Sequence, residues 1–238
     1  MSPSPAGRPT PAHWRSTGAT RARPLSRRFF ARDTLHVAQA LLGKVLVHDA
    51  ATGTASGLIV EVEAYIGEDD PACHAACGPT ERNRPLYGRP GFAYVYLNYG
   101  VHHLVNAVTE AEGHPAAVLI RALEPLEGIS LMAARRGMPG ESGAVLTRGP
   151  GRLSRALGIT LVQNEVDLTA SPLRIEDRGF VPRRVSWSTR VGIRVGTDRR
   201  WRCFVVDAPG VSPWRAGQAK RRSATPRRGA SSSAGPGL

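Results

Sequence analysis

Residues 58–66, LIVEVEAYI, alternate in polarity with a period of two. Val60, Val62, Ala64 and Ile66 are apolar, and Glu61, Glu63 and Tyr65 stand between them. Successive side chains of a β-strand point to opposite faces, so this spacing predicts a strand with two carboxylates and a phenol on one surface. Beyond Ile66 the chain runs through Glu68, Asp69 and Asp70 to His74. The acidic face is either a solvated side of a sheet or a carboxylate held beside an aromatic wall because a reaction needs it.

The flanking sequence supplies the rest of a sheet. Asp33 or Thr34 can cap a helix in which Leu35, Val37, Leu41 and Leu42 fall near helical spacing, with Gly43 as its stop. Lys44–Asp49 alternates as a strand, and the turn residues ATGTASG join it to the strand beginning at Leu58, which predicts a hairpin. Gly67–Gly91 is long, polar and broken by Pro71, Pro79, Pro85 and Pro90. A segment of that kind in a compact domain is functional or disordered. Strands are expected at Phe92–Tyr99, His102–Thr109 and Ala116–Leu123. EPLEGISLMAARRG reads as a helix with Pro125 near its first turn and Gly137 at its end. TRGPGRLSRALGI reads as a glycine-rich turn into a short helix whose first amides suit a phosphate. Later strands are expected at Leu173–Asp177, Val191–Val195 and Arg202–Val206.

These elements predict a single mixed α+β domain at residues 27–212, with a curved, largely antiparallel β-sheet and flanking helices. Residues 1–26 (Pro/Arg-rich) and 213–238 (Ser/Gly/Ala-rich) read as disordered basic tails, because such composition buries too little apolar surface to order itself.

The formal charge of +13 is unevenly placed: residues 1–34 and 212–238 each carry +6, and the body between them +1. Within the body, residues 35–81 hold one lysine and seven acids, whereas residues 129–211 hold fourteen arginines and seven acids. A polyanion would meet the C-terminal half and the tails, by releasing counterions as phosphates are neutralised. Arginine-rich coding bias is the competing explanation, since 30 of the 32 basic residues are arginine. No apolar run approaches the roughly 20 residues of a membrane-spanning helix, and no apolar stretch follows the N-terminal arginines as in a secretory signal. Three cysteines, Cys73, Cys77 and Cys203, suit a reducing compartment better than a disulfide framework. A cytoplasmic location is expected, beside the nucleoid in a bacterium or in the nucleus of a eukaryote.

GFAYVYLNYGVHHLVNAV is the second informative stretch. As a strand it puts Phe92, Tyr94, Tyr96 and Asn98 on one face and Tyr99 beside Gly100 at its end. Seven blocks, RRFF, LLGKVLV, IVEVEAYIGEDDPACHA, YVYLNYGVHHLVNAV, VLIRALEPLEG, RGPGRLSRALGI and RVGIRVG, follow in the order of the alkyladenine (3-methyladenine) DNA glycosylase family. The similarity covers roughly residues 27–212. It implies a monomeric, cofactor-free base-excision enzyme that hydrolyses the N-glycosidic bond of alkylated or deaminated purines in double-stranded DNA.

On that resemblance the residues acquire roles. Tyr99 matches the intercalating tyrosine that fills the stack vacated by a flipped nucleotide. Tyr65 on one side, and His74 with Tyr96 on the other, would hold the extruded base, where stacking contributes about 1–3 kcal/mol. Glu63 matches the general base that activates water, and Arg121 the arginine that positions that water and the 3′ phosphate. Asn106 matches the asparagine that clashes with the exocyclic amine of guanine. Spacing alone cannot choose between Glu61 and Glu63; the resemblance chooses Glu63.

Other readings are weaker. Cys73, His74 and Cys77 are a poor zinc pattern, and the family binds no metal. The chain has only Lys44 and Lys220 as side-chain amines for Schiff-base chemistry, which favours hydrolysis by water without lyase activity. A non-catalytic DNA-damage binder of the same fold is the alternative, argued against by the intact Glu63 and Arg121. A nucleoside hydrolase using Glu61 and Glu63 as a pair is disfavoured, since neighbours on one strand face do not bracket a sugar. Val101, His102 and Asn98 depart from common family residues beside the wedge and pocket, which bears on which bases are accepted. The tail charge yields a test: removing both tails flattens the salt dependence of DNA binding and leaves single-turnover excision nearly unchanged, and an unchanged slope counts against a DNA-binding role for them.

Overall fold

The computed structural model describes residues 12–16 and 22–213. In chain order these form strands β1 (Trp14–Ser16) and β2 (Arg23–Pro24), helices α1 (Arg27–Phe30) and α2 (Thr34–Leu41), and strands β3 (Val45–Ala50) and β4 (Gly53–Ile66). Strands β5 (Ala93–Asn98), β6 (His102–Val108) and β7 (Ala116–Glu127) follow, then helices α3 (Ile129–Arg136) and α4 (Pro150–Leu157). The chain closes with β8 (Leu173–Asp177), β9 (Phe180–Pro182), β10 (Val185–Ser188) and β11 (Arg202–Val205). The main sheet runs β2-β8-β3-β4-β7-β6-β5, and the β10–β11 hairpin joins it through β11 and β4. All its pairings are antiparallel. The result is the curved, mixed α+β domain that the alternating segments predict.

The 14-residue β4 is the hub. One edge pairs with β7 along most of its length, while the other is shared by β3 at Gly53–Leu58 and β11 at Glu61–Glu63. Phe30, Leu41, Leu46, Ile59, Ile120 and Leu153 close the main core around it. Residues 55–64 are buried on both faces, so the acidic side of the strand is not solvated. The helix expected near residue 34 is capped by Asp33, whose side chain accepts from the His36 amide at 3.0 Å.

Two expectations are corrected. Pro125 lies in β7, not in a helix: it pairs with Gly57 at a register shift, where a residue without an N–H costs no ladder bond. The helix starts at Ile129, after Gly128 at φ +70°, where a Cβ would sit 2.3 Å from the Thr54 carbonyl oxygen. Val191–Val195 is a loop, because the Val191 amide donates to a side chain and Gly192 turns at φ +83°. The strand nearby is Val185–Ser188.

Part of the segment expected as an N-terminal tail is sheet. β1 pairs with β9, and β2 with β8. Trp14 is buried against the edge of Phe180 and donates its indole N–H to Glu124 at 3.0 Å. Residues 1–11, 17–21 and 214–238 lie outside the described residues. The 67–91 segment, by contrast, carries short 3₁₀ turns at His74–Cys77 and Arg84–Tyr87 and closes a second small core of Cys73, Ala75, Leu86, Tyr94, Val108 and Ala117. Among the described residues no helix is long and apolar enough to cross a membrane. Trp14→Ala is expected to cost about 3–5 kcal/mol in urea unfolding, whereas a truncation ending before residue 12 leaves stability unchanged.

Candidate active site

Two irregularities in the β4–β7 pairing flank Glu61. Glu61 pairs with Ala122 and Val62 with Ile120, which leaves Arg121 as the extra residue on β7. A bulge of this kind re-aims a side chain, and here it sends the guanidinium across both carboxylates of β4. Arg121 Nε donates to Glu61 at 3.0 Å, and its Nη1 to Glu63 at 3.1 Å.

The remaining partners differ. Glu61 also accepts from Arg202 Nε at 2.7 Å and from the Ser212 amide at 2.7 Å. Glu63 accepts from the Tyr65 hydroxyl at 2.9 Å and the Val191 amide at 2.6 Å. Both carboxylates are fully buried. Burial raises the Glu61 carboxyl, but Arg121, Arg202 and the Ser212 amide outweigh it and hold it below the ordinary 4.5. For Glu63 burial prevails over Arg121, Val191 and Tyr65, and the neighbouring Glu61 charge adds to it, so its carboxyl lies above 4.5. Two like groups two residues apart are thereby pushed in opposite directions, as in paired acid–base sites.

Tyr65, Arg121 and Val191 line a cavity of about 370 Å³, and Glu63 meets it through them. The cavity has the size and largely aromatic wall of a small-molecule pocket. Tyr65, His74, Tyr94, Tyr96, Asn98 and Asn106 supply much of its wall. His74 meets Tyr96 edge to face at 4.5 Å between ring centroids, and its Nδ1 is 2.8 Å from the Tyr94 hydroxyl. Burial, assisted by the Arg82 charge, lowers the His74 pKa and keeps the ring neutral at pH 7. Burial likewise pushes the Tyr96 hydroxyl up to about 12. Asn83 anchors the His74 segment by donating to the His74 and Gly78 carbonyls, each at 2.8 Å. Asn106 is fixed by donation to the Tyr94 carbonyl at 2.9 Å.

Tyr99 stands at the β5–β6 turn bordering the cavity. Tyr99 and Gly100 have φ of +49° and +69°, and the Val101 amide returns to the Asn98 carbonyl at 3.1 Å, a two-residue hairpin turn of the I′ class. Positive φ is uncommon for a tyrosine. Tyr99 is 86% exposed and Val101 70%, so the tip presents an apolar wedge to solvent.

All seven residues singled out in the sequence, Glu63, Tyr65, His74, Tyr96, Tyr99, Asn106 and Arg121, thus converge on one cavity or the carboxylate behind it. Phe92, grouped with the tyrosines by alternation, instead lies under the Arg27 guanidinium. The sequence reading missed Arg202 and the Val191 and Ser212 amides. No local pattern marks them, since they reach the carboxylates across 141, 128 and 151 residues. Among the described residues no cluster of three or more His, Cys, Asp or Glu side chains could hold a metal.

Residues 28–209 match the family model described as Methylpurine-DNA glycosylase (MPG). The chain is 48% identical over 193 residues, 80% of this chain and 96% of its relative, to a protein of Chlorobium phaeobacteroides (strain BS1). Against a protein of Rubrobacter xylanophilus it is 48% identical over 186 residues, 77% of this chain and 95% of the relative. Against one of Methanocella arvoryzae it is 46% identical over 192 residues, 79% and 95% of the two chains. Each of these relatives is named "Putative 3-methyladenine DNA glycosylase".

The Glu61 network makes a stability prediction. A carboxyl whose folded pKa is depressed contributes stability above its unfolded value, and that contribution is lost as pH falls through the folded one. Glu61→Gln is therefore expected to lose about 3 kcal/mol at pH 7. The gap from the unmutated protein narrows below pH 4.5, as followed by urea unfolding at several pH values.

Proposed function

This chain belongs to the methylpurine-DNA glycosylase family, and we propose that it hydrolyses the N-glycosidic bond of damaged purines in duplex DNA and leaves an abasic site. The observation that carries the reading is a fully buried carboxylate of raised pKa, Glu63, behind an aromatic cavity with an exposed tyrosine wedge at its mouth.

A purine within a duplex is out of reach, so the nucleotide must first rotate out of the stack. Tyr99 enters the gap it leaves, since the positive-φ turn already holds that ring exposed at the hairpin tip. The base then lies between Tyr65 and the edge-to-face pair His74–Tyr96. As the bond from the anomeric carbon to the purine nitrogen breaks, its electron pair leaves with the base and the sugar gains oxocarbenium character. Glu63 accepts a proton from the attacking water, whose oxygen bonds to the anomeric carbon, and the carboxylate charge stabilises the sugar cation. Water reaches Glu63 when one of its donors shares the carboxylate, and Arg121 remains to orient it. Asn106, held by Tyr94, excludes bases that carry the exocyclic amine of guanine.

Two further features favour this reading. Lys44, the lysine among the described residues, donates to Asp177 at 2.7 Å and does not line the cavity, which favours water over an amine nucleophile. Arg135 and Arg155, with no carboxylate partner among the described residues, line a groove with Val101, His102 and His103, where a phosphate backbone would pass the wedge.

A duplex oligonucleotide with one hypoxanthine or ethenoadenine, incubated with the protein and then heated in alkali, is expected to break at the lesion. Intact strands across a panel of alkylated and deaminated purines sink the proposal, and lesion binding without breakage favours a damage-binding protein. Glu63→Gln should keep duplex affinity and lose about 10²–10⁴-fold in single-turnover rate. Because the carboxylate is the active form, the rate of the unmutated protein rises with pH through a value above 4.5.

A further inference from the structure

A buried ion pair outside the cavity ties two of its walls together. Asp70 lies four residues before His74, and Arg190 one residue before Val191. Both side chains are fully buried. Arg190 grips Asp70 with both ends of its fork, Nη1 to Oδ2 at 2.6 Å and Nη2 to Oδ1 at 2.7 Å. The same Nη1 donates to the Ala64 carbonyl at 3.0 Å, which fixes the guanidinium beside β4 at the residue before Tyr65. Its Cζ lies 4.7 Å from the centroid of the Tyr65 ring and 5.2 Å from that of Trp201. Tyr65 lines the cavity, whereas neither Asp70 nor Arg190 does.

We propose that Asp70 and Arg190 are a positioning pair for the excision reaction: they set the plane of Tyr65 and hold the Val191 N–H on Glu63 without touching the substrate. This rests on the reading of Glu63 as the base. The argument is geometric. A two-pronged guanidinium–carboxylate contact fixes distance and plane together, which a single ammonium contact does not. Here it is combined with a bond to β4, a stacked ring and a one-residue link to the amide 2.6 Å from Glu63. Stability alone is a poor account of the pair, since well-packed apolar residues often replace a buried ion pair without loss. The other charged groups near it are Arg199, whose Nη1 is 3.9 Å from Asp70, and Glu63 itself. The buried Arg190 Nε has no hydrogen-bond partner, so the fork is committed to orientation at the expense of full satisfaction.

Arg190→Lys in the full chain tests the proposal. Single-turnover excision of hypoxanthine is expected to fall on the order of 10²-fold, as for a small displacement in a catalytic site, with duplex affinity unchanged. The acid limb of the rate profile moves to higher pH as Glu63 loses an N–H donor. In the DNA-free protein the Val191 amide exchanges its hydrogen faster relative to the amides of β3. Asp70→Asn, which preserves volume, serves the same comparison if the lysine variant fails to fold. A folded variant with normal rate and acid limb overturns the proposal. So does a loss of rate matched by lost affinity, with the acid limb and Val191 exchange unmoved, which is the mark of a merely structural pair. If the unmutated protein excises nothing, the functional reading fails, and Val191 exchange still decides whether the pair holds that amide.

Discussion

Burying Glu61 and Glu63 on the central strand is the constraint to which the rest of the structure answers. Moving a carboxylate out of water costs several kcal/mol even after relaxation, and two on one face add mutual repulsion. The cost is offset only by donors, and β4 has none of its own facing that way except Tyr65. Arg121 arrives through a bulge in β7, Arg202 through the register of β11, and the Val191 and Ser212 amides through loops. These segments span most of the domain. The carboxylate pair therefore reaches its final state only when the whole sheet has closed, which couples the fold to the site.

The same economy explains how the arginines are used. Arg202 and Arg190 are held inside by Glu61 and Asp70. Arg174 and Arg178 bracket Glu176 and reach Asp49 and Glu127. These four belong to the fourteen arginines of residues 129–211, so the basic excess read there from sequence is partly structural. On α3 and α4 the situation differs. Burial lowers the Arg136 pKa, and the neighbouring charges of Arg152 and Arg155 add to it. Like charges crowded on a surface are tolerated where an anion comes to meet them, and that surface adjoins the hairpin carrying Tyr99.

Much of this was legible locally. Period-two alternation put Glu61, Glu63 and Tyr65 on one face, and put Tyr94 with Tyr96 on another strand, because strand geometry is set by adjacent residues alone. The turn at Tyr99–Gly100 was legible from its glycine. What alternation does not encode is burial on both faces, which follows from the strand's central place in the sheet. It also does not encode the bulge that frees Arg121, or the preference of the Val191 amide for a carboxylate over a ladder. Trp14 was hidden by its neighbours: a single aromatic within a proline- and arginine-rich stretch carries no period, yet its buried ring, with the β9 ladder and the His13 contact to Glu124, ties β1 to the domain. Pro125 misled for a related reason, since a proline near a helix start and a proline at a bulge look alike without the partner strand.

The division of labour between the two carboxylates then follows from counting donors. Arg121 has one guanidinium to share, and the bulge gives its Nε to Glu61 and its Nη1 to Glu63. Glu61 adds a second guanidinium and an amide and stays firmly ionised. Glu63 has only half of one guanidinium, an amide and a phenol against complete burial, and its carboxyl rises. Were Glu61 absent, Arg121 would be free to turn its whole fork on Glu63. The carboxylate would then be a better anion and a weaker base. Glu61 therefore keeps the Glu63 carboxyl raised in two ways, by its own charge and by occupying the arginine nitrogen that would otherwise turn to its neighbour.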